Sequence, residues 1–441
     1  MKERLSQLAC GLVALALLGC DSSDAGGGAV GGGGTGGGGT GGSGGTGGSG
    51  GVSGTGGAAA AGGSPSGGAA GVDAGSGGTS GPSAGKVRYS EHTSPEDDKY
   101  LLDAATWSSF YQTHTERLVV FSPFFDDKLA AFPPAYFYQD LYAIYAGSAL
   151  LAAHPEWVLV DGQGKKLFIP WGCSGGTCPQ YAADFTNAAF RSDWITRAKA
   201  TLAAGYKGIW IDDVNLDFRV GDGNGDFVAP IDPATGAAMQ EDAWRAYMAT
   251  FVTEIRAAMP KAEIVHNSIW YAGGPSRHAH PSVKQQILAA DYLCIEGGFV
   301  DSGLTGGSGS FSAEAMRGYV DAVHATSRKI LLMGSASDPA ELEYSLASYF
   351  LVNDGDLLAH QANMTPESWW PGNDADLGPA LGPRTTESGV HRRNFANGVV
   401  LVADPGTPAV KVPLSGAFQT LTGQTVTEVV LGPKQGAVLR K

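Results

Sequence analysis

The pattern of hydrophobic and polar positions along the chain alternates between two periods from about residue 118 onward. Short runs rich in β-branched and aromatic residues, typical of strands, are separated by longer segments whose apolar residues recur at helical spacing. The predicted strands span residues 118–124, 135–140, either 166–170 or 182–185, 208–213, 263–268, 292–296, 329–334 and 357–361. The predicted helices span residues 192–204, 240–259, 312–326 and 339–351.

Strands that alternate with helices predict a parallel sheet with right-handed crossovers. Eight such units in about 250 residues favour a closed (β/α)8 barrel, the TIM-barrel fold, over an open doubly wound sheet. No Gly-x-Gly-x-x-Gly follows the first strand, so a dinucleotide-binding fold is not expected and no cofactor is predicted.

The pattern changes again near residue 390, where short strands separated by turn residues replace the helices. These strands, at residues 398–403, 411–414, 425–431 and 437–439, predict a small antiparallel β-domain with a structural role. We therefore assign residues 87–389 to the barrel and residues 390–441 to the β-domain.

The N-terminus has the pattern of an export signal. Lys2 and Arg4 precede an apolar run over residues 8–18, which is too short to remain as a membrane-spanning helix. The run ends in Leu-Leu-Gly-Cys, which resembles the bacterial lipobox, so residues 1–20 are interpreted as a lipoprotein signal peptide and Cys20 as the lipidated residue. An ordinary signal peptide with an incidental cysteine is the alternative. We expect a lipid anchor that leaves the body of the protein in the periplasm or at the surface of a bacterial cell.

Residues 21–86 differ in composition from everything that follows. They hold 32 of the 67 glycines and only four charged residues, so they cannot bury a core and are expected to form a flexible, disordered tether.

The whole chain has a net charge of -14 without any cluster of Lys and Arg, which argues against binding to nucleic acid. A hydrophobic content of 43% with 16% charged residues excludes a polytopic membrane protein and fits a globular body, which is expected to be monomeric.

Two cysteines, Cys173 and Cys178, enclose the short segment Cys-Ser-Gly-Gly-Thr-Cys. An exported chain can keep disulfides, so these two are expected to form one. A metal site is the weaker alternative, because no second pair with ligand spacing is present. Cys294 lies in an apolar run and is expected to pack as a small core residue.

One segment has part of the pattern of a calcium loop. Residues 222–226 read Asp-Gly-Asn-Gly-Asp, but the glycine and the later acidic residue that such a loop requires are missing. A glycine-rich turn is therefore favoured over a calcium site, and no metal site is assigned.

The candidate chemistry lies where the predicted barrel strands end, because the loops after the strands form the active face of this fold. Side chains alternate along residues 208–213, Gly-Ile-Trp-Ile-Asp-Asp, so if Ile209 and Ile211 face the helices, Trp210 and Asp212 point into the barrel. Asp212 then lies at the mouth of the barrel. Asp213 points toward the following loop, where it could cap or orient neighbouring groups.

Residues 292–298, Tyr-Leu-Cys-Ile-Glu-Gly-Gly, have the same arrangement. Leu293 and Ile295 face the helices, and Glu296 occupies the last inward position. Two carboxylates at one barrel mouth suit glycoside hydrolysis, in which one acts as nucleophile or base and the other as proton donor. Either acid alone could instead form an ion pair or cap a helix. Because both occupy the last inward position of a strand, a shared catalytic role is favoured.

Other residues at strand ends suit a sugar, whose hydroxyls need donors and acceptors and whose ring faces stack on aromatic side chains. One polar candidate for substrate binding is Asp213, at the end of the fourth predicted strand. The others are Tyr138 and Asp140 at the end of the second, His266 and Asn267 at the end of the fifth, and His360 and Gln361 at the end of the eighth. The aromatic candidates are Trp171, Trp210, Trp270, Trp369 and Trp370, for which core packing is the alternative.

Three segments carry a resemblance to a known family: residues 208–213, Asp-Phe-Thr-Asn at 184–187 before a Trp-bearing helix, and Arg-Asn-Phe-Ala-Asn-Gly-Val-Val-Leu-Val at 393–402. Over about residues 100–441 the chain resembles the bacterial glycoside-hydrolase-like TIM barrels related to the α-galactosidase and endo-α-1,4-polygalactosaminidase superfamily. This resemblance implies that Asp212, on the fourth strand, is the nucleophile and that Glu296, on the sixth, is the acid/base. Many relatives of α-galactosidase have Asp where this chain has Glu296.

Together these observations predict a lipid-anchored glycoside hydrolase that cleaves an O-glycosidic bond of a polysaccharide or oligosaccharide. A non-catalytic carbohydrate-binding surface lipoprotein, a lectin or adhesin on the same barrel, is the alternative. The acid pair separates the two hypotheses, because a binding module does not need it.

Overall fold

The structure is a computed structural model that describes residues 85–93, 104–272, 277–336, 338–361 and 364–441. The predicted signal peptide, Cys20 and almost all of the predicted tether lie outside these residues, so they stay predictions. Among the residues described, none of the helices combines the length and the apolar character needed to cross a membrane.

The first ten strands build the barrel and one accessory two-stranded sheet. They are β1 (Ser90–His92), β2 (Arg117–Val120), β3 (Ala135–Asp140), β4 (Ala143–Tyr145), β5 (Gln180–Ala182), β6 (Gly208–Asp212), β7 (Glu263–Asn267), β8 (Tyr292–Gly297), β9 (Lys329–Gly334) and β10 (Leu357–His360). Eight of them form one parallel sheet in the order β1-β2-β3-β6-β7-β8-β9-β10. A parallel bridge between Tyr89 and Leu358 joins the first strand to the last, which confirms the predicted TIM barrel.

The structure differs from the prediction at the first and third barrel strands. The barrel begins with β1, a strand of three residues that the pattern did not predict, so residues 118–120 belong to the second strand and 135–140 to the third. The two segments proposed for the third strand lie outside the barrel sheet, where β5 pairs antiparallel with β4. These two differences offset each other, so β6 is still the fourth barrel strand and β8 the sixth.

Seven helices lie in the described part of the chain: α1 (Ala104–His114), α2 (Ala149–Ala153), α3 (Ala188–Leu202), α4 (Glu241–Ala258), α5 (Pro281–Ala289), α6 (Ala313–His324) and α7 (Pro339–Val352). Four of them match the predicted helices, and side-chain caps define where some begin. The hydroxyl of Ser312 accepts the N–H of Ala315 at 3.1 Å at the start of α6. Asp338 accepts the N–H groups of Ala340 and Glu341 before α7, whose first residue is a proline.

Two separate sets of buried side chains follow from the alternation along the barrel strands. The inside of the barrel is filled by Val119, Tyr136, Trp210, Val265, Tyr292, Cys294, Leu331, Met333, Leu357 and Ala359. Their sequence neighbours, such as Ile209, Ile264 and Leu293, belong to the larger cluster that lies between the barrel and the helices. The phase predicted for the fourth and sixth strands is therefore the observed one, and it directs Asp212 and Glu296 toward the mouth.

The C-terminal region is a six-stranded antiparallel sheet, which confirms the predicted β-domain. Its strands are β11 (Thr385–Glu387), β12 (Val390–Phe395), β13 (Gly398–Ala403), β14 (Val410–Gln419), β15 (Thr425–Leu431) and β16 (Gln435–Arg440), in the order β11-β12-β13-β16-β14-β15. Helix α7 packs on β13 and β16. Arg317 on α6 makes two hydrogen bonds to the carboxylate of Asp404, at 2.8 and 2.6 Å, and so ties the sheet to the barrel.

Candidate active site

Four of the barrel strands bring acidic or amide side chains to the mouth of the barrel. Asp140 ends β3, Asp212 ends β6, Asn267 ends β7 and Glu296 is the fifth residue of β8. The register places Asp140 directly beside Asp212 on neighbouring strands. This is the end at which the active sites of the fold form.

A single amide links the two predicted catalytic acids. The Nδ2 of Asn267 lies 2.9 Å from Oδ1 of Asp212 and 3.2 Å from Oε2 of Glu296, so these two oxygens are at most 6.1 Å apart, the sum of the two distances. Gln361 donates to the other Glu296 oxygen at 3.3 Å. The two carboxyl groups therefore converge at the mouth of the barrel.

The chain turns sharply directly after each of these acids. Asp213 has a φ of 58°, a left-handed conformation that is uncommon for a residue other than glycine. In this conformation its N–H donates to Oδ1 of Asp212 at 2.8 Å. Gly297 and Gly298, with φ values of 74° and 52°, turn the chain after Glu296, where glycine adopts the left-handed region without steric cost.

A chain of hydroxyl groups surrounds Asp140. The hydroxyl of Tyr138 lies 2.9 Å from Oδ1 of Asp140 and 2.5 Å from Oδ2 of Asp212. The hydroxyl of Tyr145 donates to Oδ2 of Asp140 at 2.6 Å and accepts from Gln180 at 3.1 Å. Tyr138 thus lies between two carboxyl groups, while Tyr145 and Gln180 hold Asp140 from the side of the accessory two-stranded sheet.

Three of the carboxyl groups near the mouth have raised pKa values. Burial, and next the charge of Asp212, raise the pKa of Asp140 to about 6, against the lowering effect of its tyrosine donors. Burial raises the pKa of Asp212, although hydrogen bonds from Tyr138, Asn267 and the Asp213 N–H oppose this rise. Burial and the neighbouring acids Asp212 and Asp140 raise the pKa of Asp213 well above its ordinary value. Titratable groups perturbed in this way, and clustered in one cleft, are typical of active sites.

The structure places two predicted histidines away from this cluster. His266 lies on the outer face of β7, where it is fully buried and contacts Gln286 of α5 at 3.2 Å. His360 lies on the outer face of β10 and contacts Asn373 at 3.3 Å. Adjacent residues on a strand face opposite sides, so the inward positions of Asn267 and of the residue after His360 exclude both histidines from the mouth.

The tryptophans named from the sequence pack against other side chains. Trp210 is inside the barrel, 2% exposed, with its ring stacked under Tyr138 at a centroid distance of 5.5 Å. Trp270 is 4% exposed and stacks on Phe311 at 5.4 Å. Trp171, Trp369 and Trp370 are partly buried and pack against the main core. Trp210 therefore lies inside the barrel below the acids, and neither face of its ring is accessible to a sugar.

Residues that the sequence pattern did not single out complete the site. His92, at the end of β1, is 7% exposed and contacts Trp210 edge-on at 4.7 Å. The ring of Phe121, just after β2, lies 4.8 Å from that of Tyr138. Tyr145 and Gln180 come from the accessory two-stranded sheet. Strands of three residues, such as β1 and the two accessory strands, carry too little periodicity to be recognised from the sequence. His92 itself was a visible candidate, because histidine is a polar, titratable residue and this one lies before the first helix.

The loops around the mouth contain the predicted disulfide, which the structure confirms between Cys173 and Cys178. Cys294 has a free, buried thiol inside the barrel. In the loop at residues 222–226, Asp222 accepts hydrogen bonds from the backbone and the side chain of Asn224 at 2.7 and 2.9 Å. Within the described ranges, no three His, Cys, Asp or Glu side chains are grouped so as to hold a metal ion.

A closed parallel barrel with an acid pair at the C-terminal ends of its fourth and sixth strands has the architecture of TIM-barrel glycoside hydrolases. The chain belongs to the family described as hypothetical glycosyl hydrolase family 15, whose sequence model matches residues 135–399, more than half of the chain. This match confirms the resemblance to glycoside-hydrolase-like barrels and assigns the chain to the glycoside hydrolases. None of the curated proteins matches the chain.

Several solved structures are similar to this chain at low sequence identity. The glycoside hydrolase domain of PelA from Pseudomonas aeruginosa is 14% identical, with 68% of this chain and 98% of that chain covered and a TM-score of 0.39. The noncanonic maltogenic α-amylase AmyB from Thermotoga neapolitana is 9% identical, with 81% and 98% covered and a TM-score of 0.46. The GH36 α-galactosidase AgaA from Geobacillus stearothermophilus is 10% identical, with 82% of this chain and 56% of that chain covered and a TM-score of 0.42.

Proposed function

We propose that this protein hydrolyses an O-glycosidic bond of a polysaccharide or oligosaccharide with Asp212 as nucleophile and Glu296 as proton donor. The observation that carries the proposal is the link between the two carboxyl groups through the Nδ2 of Asn267, which brings them to opposite sides of one small gap. A glycosidase needs two carboxyl groups at such a separation.

The hydrogen bonds favour Asp212 as the nucleophile. Its carboxylate accepts from the hydroxyl of Tyr138, the amide of Asn267 and the N–H of Asp213. Three donors stabilise the ionised form, which is the form that attacks the anomeric carbon. Glu296 then donates its proton to the departing oxygen.

The distance favours retention of the anomeric configuration. The closest oxygens of Asp212 and Glu296 are at most 6.1 Å apart, the sum of 2.9 and 3.2 Å. A retaining pair of carboxyl groups stands about 5–5.5 Å apart, a separation that this bound admits, whereas an inverting pair stands roughly 6.5–9.5 Å apart. In a retaining mechanism Asp212 forms an ester with the sugar while Glu296 protonates the leaving oxygen. Glu296 next takes a proton from water, whose oxygen attacks the anomeric carbon and releases Asp212.

The location of this activity follows from the N-terminal sequence. We propose that Cys20 is lipidated, that the glycine-rich segment separates the barrel from the membrane, and that the substrate is an extracytoplasmic glycan. Globomycin sensitivity of processing, together with incorporation of labelled palmitate into the wild type but not into Cys20→Ser, would test this part of the proposal.

A panel of polysaccharides tests the activity. Product release is measured for the wild type, Asp212→Asn and Glu296→Gln, with Asp193→Asn as control, because Asp193 is paired with Arg197 on the surface of α3, away from the mouth. We expect a loss of about a thousandfold or more in kcat for each active-site variant and no change in the control. NMR should show that the product, when first released, has the same anomeric configuration as the substrate.

The two roles are separated by substrates with good leaving groups. An aryl glycoside whose leaving group needs no protonation should restore the first step in Glu296→Gln but not in Asp212→Asn. Azide should restore turnover in a small variant, Asp212→Gly, by attacking the anomeric carbon in place of the carboxylate. If the wild type binds glycans but releases nothing from any of them, the protein is a lectin and the proposal is wrong.

A further inference from the structure

The hydroxyl of Tyr138 has two carboxyl neighbours but only one proton. It lies 2.9 Å from Oδ1 of Asp140 and 2.5 Å from Oδ2 of Asp212. If both carboxyl groups were ionised, one of these contacts would place two oxygens against each other with no hydrogen between them. For both contacts to be hydrogen bonds, a second proton must reside on one of the two acids.

The surroundings indicate which acid keeps this proton. Asp212 is partly buried at the mouth, and its Oδ1 accepts from two N–H donors, which favours its ionised form. Asp140 is only 8% exposed. Its Oδ2 accepts from Tyr145, whose own oxygen accepts from Gln180, so the proton of Tyr145 is directed toward Asp140. This leaves Oδ1 of Asp140, facing Tyr138, as the oxygen that can carry the proton.

We propose that Asp140 is a positioning residue that works in its protonated form, donating through Tyr138 to Asp212. In this arrangement the O–H of Asp140 donates to the Tyr138 oxygen, and the O–H of Tyr138 donates to Oδ2 of Asp212. The nucleophile is thereby held in place, and Asp140 adds no second negative charge beside it. The inference rests on the proposed role of Asp212 as nucleophile.

The groups that face Asp140 support this role. They are Tyr138 on its own strand, Tyr145 on β4, Asp212 at the end of β6, and Asp213 just after it. Burial and the charge of Asp212 raise the pKa of Asp140 to about 6. Above this pH Asp140 ionises, the single proton of Tyr138 is divided between two carboxylates, and Asp212 loses a donor.

Asparagine at position 140 is the variant that separates the possibilities. Its Nδ2 can donate to Tyr138 and its Oδ1 can accept from Tyr145, so Asp140→Asn reproduces the protonated acid at every pH. Alanine at this position, and phenylalanine in place of Tyr138, remove the connection altogether.

The measurement is the pH profile of kcat/KM on an aryl glycoside of the sugar that the glycan panel identifies, because this substrate removes the need for protonation by Glu296. For the wild type we expect a decline of about tenfold per pH unit above pH 6. Asp140→Asn should lose this decline, so that the ratio of its kcat/KM to that of the wild type rises above pH 6. Asp140→Ala and Tyr138→Phe should lose about tenfold to a hundredfold in kcat at pH 5.

Two results would overturn the inference. A loss of a hundredfold or more in Asp140→Asn at pH 5 would show that the ionised carboxylate is needed, and a wild-type decline that persists in Asp140→Asn would show that another group titrates. Carboxyl 13C NMR of the wild type gives a readout independent of turnover, since the Asp140 signal should titrate near pH 6. Activity retained by Asp212→Asn would contradict the proposed function itself, so the two failures are distinguishable.

Discussion

The two ends of the barrel interior carry similar acidic residues in opposite electrostatic surroundings. At the N-terminal end, Glu263 accepts from Arg117 at 3.0 and 3.1 Å and from the hydroxyl of Tyr136 at 2.8 Å. At the C-terminal end, Asp140 and Asp212 lie side by side and accept from tyrosine and amide groups. At the N-terminal end the acid is paired with a cation, whereas at the C-terminal end two acids lie together and accept from uncharged donors.

The pKa values follow this difference. Burial alone would raise the pKa of Glu263, but hydrogen bonds from Arg117 and Tyr136 and the charge of Arg117 hold it below its ordinary value. At the mouth, burial raises the pKa of Asp140 to about 6. In a barrel of this kind, charged residues at the N-terminal end, the bottom, contribute to stability. Charged residues at the C-terminal end, the mouth, serve the reaction and lower the stability. Substitutions at three positions can break or sharpen this comparison.

The largest effect is expected at the bottom of the barrel. Glu263→Ala leaves the guanidinium of Arg117, whose side chain is 15% exposed, with only the more distant carboxylate of Glu116, at 3.9 Å, as a partner. Removing one member of a buried pair costs roughly 3 kcal/mol of unfolding free energy. Urea unfolding at pH 7 measures this loss, while kcat/KM at 25 °C should stay within about twofold of the wild type.

Glu263→Gln is the matched control, because glutamine keeps the hydrogen-bonding shape and loses only the charge. It should lose less stability than Glu263→Ala. If either variant lost activity without losing stability, the bottom of the barrel would be part of the catalytic machinery and the contrast between the two ends would fail.

The second effect has the opposite sign and appears at the mouth. The pKa of Asp140 is about 6 in the folded protein and about 3.9 in an unfolded chain. Between these values the folded protein holds a proton that the unfolded chain has released, so stability falls as the pH rises from about 4 to about 6. Asp140→Asn removes this cost.

We therefore expect Asp140→Asn to raise the unfolding free energy by about 2–3 kcal/mol at pH 8 and to leave it nearly unchanged at pH 4. Chemical unfolding at the two pH values measures the difference. A gain that is equal at both pH values would mean that packing, rather than the charge of Asp140, is responsible.

The smallest effect concerns the backbone after Asp212. Asp213 has a φ of 58°, which asparagine tolerates better than alanine. Both Asp213→Asn and Asp213→Ala remove the acid, but only alanine also removes the acceptor for Nδ2 of Asn215, which lies 3.0 Å from Oδ1 of Asp213. The asparagine variant should be more stable by about 1 kcal/mol. Equal stability in urea unfolding at pH 7 would mean that neither the left-handed turn nor the hydrogen bond from Asn215 contributes measurably to stability.

Strong periodicity made the later barrel strands predictable. The run from residue 208 to residue 213 alternates between outward isoleucines and inward polar or aromatic residues, and the observed burial follows the same phase. Residues 292–297 behave in the same way. These positions were predictable because each strand buries both faces, one inside the barrel and one under the helices, so the facing of every side chain is constrained.

Weak periodicity explains what was missed. Strand β1 has three residues, and its assignment depends on pairing with β2 and β10, which lie far from it in the chain. The pairs His266 and Asn267, and His360 and Gln361, each offered two polar neighbours at a strand end. Only the register of the sheet decides which of them faces inward.

By itself, the sequence determined the fold class, the disulfide and the position of one acid at the end of each of two strands, because strand alternation is a local property of the chain. The tertiary structure alone decided that Tyr138 lies between Asp140 and Asp212, and that Asn267 links Asp212 to Glu296. These contacts join side chains from different strands. They depend on closure of the barrel and on its register, which no single segment of the chain encodes.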